Sequence, residues 1–293
     1  MKVEIECAHC IIHRGYLEIA EATKDRDLQF KAMSALLGFL QGEFSKNAVP
    51  AVLGTERDRI IRHATSNPDP YAKSKIVSNQ KALELLPFAK KIVSNGSSPE
   101  EHFRKACLCS MVGNVIEFDI PGHKFDINSL ETLFKTAEED LAIDRIGEIY
   151  QVARKAKKTL FLADNAGEVV FDTLLVHELK KLGNHVTVVV KGGPVLNDAT
   201  LADAELAGMC DIADNIVTTG VDAVGLNLEE SSKEFLSIYR SADFVIAKGM
   251  GYAETLTENS LLYPHALLLR TKCRPVARFL KVERDKNVST ILP

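Results

Sequence analysis

The sequence has 293 residues, 46% hydrophobic and 26% charged, an ordinary globular composition that needs no disulfide bonds to bury a core. Its formal charge of −4, without any block of Lys and Arg, argues against a nucleic-acid partner. No apolar run approaches the ~20 residues of a membrane span, and the start "MKVEIECAHC" lacks the apolar core of a signal peptide. We therefore expect a cytoplasmic protein with no membrane contact. From the length we expect two domains, and the sequence does not decide whether the protein forms a homo-oligomer.

Residues 11 to about 157 have the spacing of successive helices. The stretches "IIHRGYLEIAEA" and "FKAMSALLGFLQGEF" place apolar residues three and four apart. "KALELLPFAKKIV" continues the pattern, with Pro87 as an expected kink or break. Ser98 at the N-cap and Pro99 at the first helical position, followed by two glutamates, predict the start of another helix. No strand is expected in this half.

From about residue 158, short apolar runs alternate with helical segments. The runs are "TLFLA", "HVTVVVK", "IADNIVTTG", "ADFVIAKGMG" and "HALLLRT", and "FDTLLVHELKKLG" is a helix that ends at Gly183. This alternation favours a parallel sheet covered on both faces, in which ligands bind at the carboxyl ends of the strands. Four strand ends should therefore share one crevice: Asp164-Asn165, Lys191 with the loop to Asp198, Thr218 to Gly220, and Lys248-Gly249. We predict a helical domain at 1–157 and an α/β domain at 158–293.

Two of these strand ends carry oxygen-rich side chains. Asp164 and Asn165 are adjacent, and both residue types are also common helix N-caps, so a capping role is one interpretation. The other is a metal site, because carboxylate and amide oxygens are hard ligands that suit Mg²⁺ or Mn²⁺. After the next strand, Asp198 follows a Lys-Gly-Gly-Pro turn and can reach the same metal. The alternative for that segment is an ordinary Gly-Pro turn capped by Asn and Asp.

Lys248 ends a further strand and is followed by Gly249-x-Gly251. A lysine at this position can hold a phosphate or screen its charge, and the alternative is an exposed lysine beside a flexible turn. No Walker lysine-serine pair and no full G-x-G-x-x-G follow the first strand. In the helical half, "GNVIEF" places Asn114 and Glu117 three apart on one helix face. They either project into the crevice or lie on a solvated polar face.

The six cysteines include two close pairs, Cys7 with Cys10 and Cys107 with Cys109. In a cytosolic chain such pairs indicate metal or redox chemistry more often than structural disulfides. A single C-x-x-C is a weak signal for zinc, because structural zinc sites need a second ligand pair. His9 lies within the first pair and His13 three residues after it, and a Cys/His metal site and a buried structural role both stay open.

Four segments in order, "GNVIEF", "LADNAGE", "VKGGPVLND" and "AKGMGYAE", resemble the damage-control phosphatase family. This family was long called domain of unknown function 89, and it includes proteins described as acidic-residue methyltransferase-like. The resemblance spans nearly the whole chain, and "CAHC" is similar to the C-x-x-C of the prokaryotic subfamily. It implies a mostly helical N-terminal region followed by a Rossmann-like, three-layer α/β domain with a mainly parallel sheet.

The resemblance also implies a metal-dependent phosphatase that acts on small phosphorylated metabolites, with Mg, Mn, Co or Ni as the divalent metal. It carries metal ligation over to Asp164, Asn165 and Asp198. We predict that Asp164 and Lys248 are catalytic, Asp164 being a candidate nucleophile beside a metal-activated water. The predicted substrate-binding residues are Asn114, Glu117, Glu168, Lys191 and Gly249. Eukaryotic relatives carry an Arg-x-x-Lys-like element where this chain has "GMGYAET", so their sugar-phosphate substrates are not transferred.

Two other functions are alternatives. A carboxyl methyltransferase would need a glycine-rich loop for S-adenosylmethionine after the first strand, where "DNAGE" has one glycine. A non-catalytic module that binds a nucleotide or a phosphorylated metabolite would bind its ligand without turnover.

Overall fold

A computed structural model of the protein describes residues 1–113, 132–133 and 136–292. The helices with both ends described are α1 (Ile5–Ala22), α2 (Arg26–Glu43), α3 (Pro50–Thr65), α4 (Ala72–Ser94), α5 (Pro99–Val112), α6 (Ile146–Ala153), α7 (Glu168–Lys181), α8 (Leu201–Leu206), α9 (Lys233–Ser241), α10 (Met250–Leu256) and α11 (Arg274–Leu280). The strands are β1 (Leu141–Asp144), β2 (Lys158–Leu162), β3 (His185–Val190), β4 (Asn215–Thr218), β5 (Phe244–Lys248), β6 (His265–Arg270) and β7 (Asn287–Leu292). Within these residues, no helix is both long and apolar enough to cross a bilayer.

The described strands form one seven-stranded sheet in the order β1-β7-β6-β5-β2-β3-β4. All neighbours are parallel except β6 and β7, so the predicted α/β fold with a mainly parallel sheet is confirmed. β2 is central, with Leu162 paired to Val189 of β3 and to Ala247 of β5. The carboxyl ends of these three strands therefore lie side by side, and side chains that follow them meet at one edge of the sheet.

Helices cover both faces of the sheet. Successive residues of β2 enter different cores, Phe161 one and Leu160 the other. The first core also contains Phe103 of α5, and α5 packs directly on α7. Burial on both faces explains why these strands are unbroken apolar runs in the sequence. The contact between α5 and α7 also places the helical half of the chain next to the helix that follows β2.

A smaller group of helices, α1 to α3, packs around its own core, which includes Ile11, Leu36 and Leu53. The edge strand β1 precedes residue 157 in the chain and pairs in parallel with β7. The expectation of no strand in the first half is therefore wrong. β1 escapes detection because it is only four residues, "LAID", with alternating partial burial. The domain boundary at 157 stays a prediction.

Two expectations about helix ends have different outcomes. Ser98 caps α5 as predicted, its hydroxyl oxygen accepting from the Glu101 N–H at 3.2 Å. Pro87 does not break α4, which runs through it from Ala72 to Ser94. Leu85 and Ala89 on either side of Pro87 are buried in the same core. This packing holds the helix together across the hydrogen bond that proline cannot make.

Candidate active site

The first site loop follows β2 and carries Asp164 and Asn165, both half-buried. Asn165 Nδ2 donates to Asp164 Oδ2 at 3.0 Å and to Glu168 Oε1 at 2.6 Å. These bonds leave the amide oxygen of Asn165 as the atom able to bind a cation. The N-cap of α7 is Gly167, at φ 81°, and no side chain caps the helix. The structure therefore does not support the capping interpretation of the Asp-Asn pair.

The second site loop, between Lys191 and Asp198, is joined to the first by backbone hydrogen bonds. Ala199 N donates to Asp164 O at 2.7 Å, and Ala166 N donates to Asn197 O at 2.9 Å. An antiparallel bridge between Asn165 and Asp198 completes the contact. The sheet edge thus places the Asp198 segment beside the Asp-Asn pair, as the positions of the strand ends predicted.

Asp198 is 4% exposed, and its Oδ2 has no hydrogen-bond partner among the described residues. The nearest charge of opposite sign is Lys191 Nζ, at 3.5 Å from that oxygen. Burial raises the pKa of Asp198 to about 6, against the opposing effect of Lys191. A buried carboxylate oxygen without a hydrogen bond is costly, and a bound cation would satisfy it.

The carboxylates of this edge also repel one another. Removal from water, and then the charges of Glu168 and Asp198, raise the pKa of Asp164 well above its ordinary range. Lys248 and Lys191 act in the opposite direction. With Asp172, which pairs with Lys248, four acidic groups lie near two lysines and leave an excess of negative charge, which favours a divalent cation. The donor set of two carboxylates and one amide oxygen fits Mg²⁺ or Mn²⁺.

Lys191 is fully buried behind the second loop. Its Nζ donates to Gly225 O at 2.6 Å and to Tyr252 Oη at 3.3 Å, and it lies 4.6 Å from the centre of the Tyr252 ring. Burial opposes the charge of Lys191, but Tyr252, Asp198 and Asp164 raise its pKa above the ordinary value. Lys191 therefore stays charged beside the candidate metal ligands. Tyr252 carries no sequence signal that sets it apart from a core aromatic.

Lys248 is also buried, with 1% of its surface exposed. Its Nζ donates to Ser110 O and Asp172 Oδ1, both at 2.9 Å, and to Glu168 Oε2 at 3.3 Å. These three acceptors match the three N–H groups of an ammonium. Burial opposes the charge, but Asp172 and Glu168 raise the pKa of Lys248 above its ordinary value. Sequence reasoning missed Asp172, although its position four residues after Glu168 puts both on one helix face.

Gly249 alone connects β5 to α10 and has a φ of 86°, a conformation that favours glycine. Its backbone lies directly against the Asp164 carboxylate, so a side chain at this position has no room. Predicted site residues from three strand ends therefore meet here: Asp164, Asn165, Glu168, Lys191, Asp198, Lys248 and Gly249. Asn114 and Glu117 lie outside the described residues.

An open cavity of about 490 Å³ lies against the second site loop at Gly192 and Gly193. The second and third predicted strand ends form part of its wall, because Gly192 N donates to Val221 O at 3.0 Å and Gly192 and Gly220 both line it. Its charged lining residues are Arg59, Asp222 and Glu230. Arg59 belongs to α3 and pairs with both acids, at 2.8 Å and 2.7 Å. No spacing in the sequence connects it with the strand ends.

The N-terminal cysteines do not form a metal site among the described residues. Across that part of the chain, no group of three or more His, Cys, Asp or Glu side chains is arranged to hold a metal ion. Cys7 is buried and Cys10 is exposed, and both thiols are free. A metal at the sheet edge would therefore depend on the amide oxygen of Asn165 as well as on carboxylates.

The family model of the damage-control phosphatase ARMT1-like domain matches residues 3–288. The chain belongs to this family. An uncharacterized protein of Methanocaldococcus jannaschii is 38% identical to this chain, over 98% of it and 95% of the relative. A protein of Archaeoglobus fulgidus named damage-control phosphatase is 35% identical over 100% of both chains. The crystal structure of a duf89 family protein from Pyrococcus horikoshii has a TM-score of 0.88 and 32% identity, and the match covers 98% of each chain.

Membership in the damage-control phosphatase family confirms the resemblance based on four motifs. The match to the Pyrococcus structure also confirms the order of a helical N-terminal part followed by the parallel sheet. Placement in the C-x-x-C subfamily stays a prediction.

Proposed function

We propose that this family member is a metal-dependent phosphatase that hydrolyses phosphomonoesters of small metabolites, a housecleaning activity. The observation that carries the proposal is the buried Oδ2 of Asp198, which has no hydrogen-bond partner among the described residues and lies beside the Asp164-Asn165 pair. The names of two relatives, both damage-control phosphatases, support the phosphatase class. A cytoplasmic location and the absence of nucleic-acid partners are part of the same proposal.

Asp164, Asn165 and Asp198 would hold the divalent metal. When bound, the metal would supply a Lewis acid that polarises the phosphoryl group and offsets its charge. The residues fit because their oxygens are hard ligands on two loops already joined by backbone hydrogen bonds. Mg, Mn, Co and Ni all accept such a donor set.

The chain's own groups would act on the remaining charge of the substrate. The backbone at Gly193 can approach phosphate oxygens closely, because no side chain intervenes, whereas the N–H groups of Gly192 and Gly249 already donate to Val221 O and Leu268 O. Lys248 and Lys191 already donate to protein acceptors, so we propose that they stabilise negative charge through their fields.

Hydrolysis breaks the ester bond between phosphorus and the leaving oxygen, which departs as an alcohol after taking a proton. The oxygen added to phosphorus comes from water, either directly or after Asp164 has formed an acyl phosphate. Acid quenching during turnover of a ³²P-labelled substrate distinguishes these routes. Label retained on Asp164 supports the covalent route, and its absence supports direct attack by water.

The test of the function is turnover of an aryl phosphate by the purified protein with Mg²⁺, Mn²⁺, Co²⁺ or Ni²⁺ and with EDTA. Asp164→Ala should abolish metal-dependent turnover, because it removes a proposed ligand. Asp27→Ala, at an exposed site on α2, is the control and should keep the wild-type rate. If Asp164→Ala keeps the wild-type rate with metal, the proposed function is wrong. A screen of phosphorylated metabolites then identifies the substrate.

No feature of the site favours either alternative function. The loop from Asp164 to Glu168 has one glycine, at Gly167, and its N–H is bonded to Asn79 rather than open to a cofactor. Titration with S-adenosylmethionine in a calorimeter tests the methyltransferase directly. Turnover of any phosphate ester excludes a module that only binds.

A further inference from the structure

Both loops that carry the candidate metal ligands are attached to side chains from the helical part of the chain. In the first loop, Gly167 N donates to Asn79 Oδ1 of α4 at 2.7 Å. In the second, Leu196 N donates to Asp58 Oδ1 of α3 at 3.0 Å. Asn79 is 1% exposed and Asp58 fully buried, so neither bond competes with bulk water.

The orientation of Asn79 is fixed by a second hydrogen bond. Its Nδ2 donates to Asp203 Oδ1 at 2.8 Å, which leaves Oδ1 facing Gly167. Asp203 in turn pairs with Lys75 at 3.1 Å. Gly167 lies between Asn165 and Glu168 at φ 81°, so the bond to Asn79 holds the turn that orients both side chains.

Asp58 holds a strained backbone position. Leu196, two residues before Asp198, has a φ of 48°, a left-handed conformation that is uncommon for leucine. Such a conformation persists only where the surroundings fix it. Asp58 does so with one oxygen on Leu196 N, while its other oxygen accepts from Arg62 Nε at 2.7 Å. A buried carboxylate is thus used as a charge-assisted acceptor for one loop amide.

We propose that Asp58 and Asn79 are positioning residues that hold the two ligand loops in the arrangement required for cation binding. The helical part of the chain would then set the metal affinity of the sheet edge. The inference rests on the proposed function for the presence of the metal. Both side chains act through the loop backbone, like the outer partners that orient ligands in known metal sites.

Metal affinity is the first measurement, by calorimetric titration of the metal-free full chain with MnCl₂. Asp58→Ala and Asn79→Ala should each weaken Mn²⁺ binding by about 10- to 100-fold, the usual effect of losing an outer partner. Asp58→Asn keeps a carbonyl oxygen for Leu196 N–H and should recover part of that loss. Ile61→Val, in the same helix as Asp58 but in a second small apolar cluster between α1, α2 and α3, controls for a general loss of stability.

Amide hydrogen exchange of the metal-free chain is the second measurement, and it needs neither activity nor metal. Asp58→Ala should speed exchange in a peptide that contains Leu196, with little effect on one that contains Gly167. Asn79→Ala should do the reverse. Each variant is therefore the matched control for the other. A general loosening of the fold would speed exchange in both peptides and would not reproduce these opposite patterns.

The outcomes separate the inference from the function. If the wild type binds no Mn²⁺ and has no turnover, the proposed function fails, while local exchange changes still test the loop contacts. If the wild type binds Mn²⁺ and the two alanine variants bind as tightly as Ile61→Val, the inference is overturned. Exchange that is unchanged at both peptides overturns it as well.

Discussion

Gly249 and Asp164 are so close that a Cβ atom at residue 249 would overlap the carboxylate of Asp164. Gly249 is also held in place by its own N–H, which donates to Leu268 O at 2.9 Å. The end of β5 therefore packs directly against Asp164, a candidate metal ligand, and restricts the positions that its carboxylate can adopt. A carboxylate confined in this way has little rotational freedom to lose when it binds a cation or substrate.

Gly249→Ala should lower activity far more than it lowers stability. The alanine Cβ would displace the Asp164 carboxylate, and a misplacement of about 1 Å can cost roughly 100-fold in rate. The left-handed φ of 86° adds about 1–2 kcal/mol of strain to the folded state. Turnover of an aryl phosphate with Mn²⁺ and thermal unfolding measure the two effects.

The matched control is Gly183→Ala. Gly183 has a φ of 87°, but a Cβ added there would meet no atom within 4 Å, so only the backbone strain is shared. Its rate should stay near that of the wild type. Equal rates for the two alanine variants would contradict the proposed role of the contact with Asp164.

Lys248→Met should destabilise the protein strongly. The substitution leaves Asp172 and Glu168 buried without their ammonium partner, and breaking such a pair costs about 3–5 kcal/mol. Urea denaturation of the metal-free protein measures the loss. Adding Asp172→Asn removes one of the uncompensated charges and should restore much of the stability.

The same double variant separates structure from chemistry at Lys248. We expect its turnover to stay at least about 100-fold below the wild type, because the charge that stabilises the phosphoryl oxygens is still missing. Recovery of turnover together with stability would show that Lys248 only balances Asp172 and Glu168. Turnover of the double variant, measured once urea denaturation has shown that its stability is restored, distinguishes these two roles.

The predicted site residues that the structure describes share one property: each ends an apolar strand or lies in the segment that follows it. Parallel strands align their carboxyl ends, so Asp164, Asp198 and Lys248 could be brought together without knowledge of any tertiary contact. The short stretch of sequence around each of these residues was thus enough to assign it to this edge of the sheet. The order of the strands was not needed for it.

The residues that were missed reach the site from elements with no such rule. Asp172 and Tyr252 lie on helices whose burial is set by packing, and Asp58 and Asn79 come from helices far away in the chain. A helix pattern tells which face is apolar, but it does not tell which distant loop a polar residue on that face will meet. For the same reason the pairing of β1 with β7 could not be read from four residues.

Asp198→Asn should have opposite effects on the metal-free and metal-loaded protein. Without metal, the substitution removes a carboxylate oxygen that repels Asp164 and has no hydrogen bond among the described residues. Lys191 loses its ion pair but keeps its bonds to Gly225 O and Tyr252 Oη, so we expect stability to rise by about 1 kcal/mol. With Mn²⁺ at 100 times its dissociation constant, the wild type should gain about 2.7 kcal/mol. The variant should gain much less, since a ligand is weakened. Thermal unfolding with EDTA and with Mn²⁺ gives both values.

We expect the order of stability of the wild type and Asp198→Asn to reverse between EDTA and Mn²⁺. The wild type would be the less stable protein in EDTA and the more stable one in Mn²⁺. Equal Mn²⁺-induced stabilisation of both proteins would remove Asp198 from the set of ligands. Asp211→Asn, at an exposed aspartate, should change neither value.

Far from the site, His265 begins β6 in a closed hydrogen-bond network. Its Nδ1 lies 2.8 Å from Tyr263 O, which can only accept, so this nitrogen carries the proton. Its Nε2 then accepts from Tyr239 Oη at 2.7 Å. Burial lowers the pKa of His265 below its ordinary value, because a charged ring would lose its hydration, and the hydrogen bond to Tyr263 O opposes this shift only in part.

The lowered pKa makes part of the protein's stability depend on pH. Above the unfolded value of about 6.5, His265 is neutral in both states and its contribution is fully present. As pH falls below 6.5, the unfolded chain takes up a proton that the folded chain refuses, so stability falls by at most about 1.4 kcal/mol per pH unit. Urea denaturation between pH 7.5 and 5 of the wild type and of His265→Gln should show a smaller decline in the variant. His177→Gln, at an exposed site on α7, should keep the wild-type decline, and equal declines for all three proteins would contradict the buried neutral histidine.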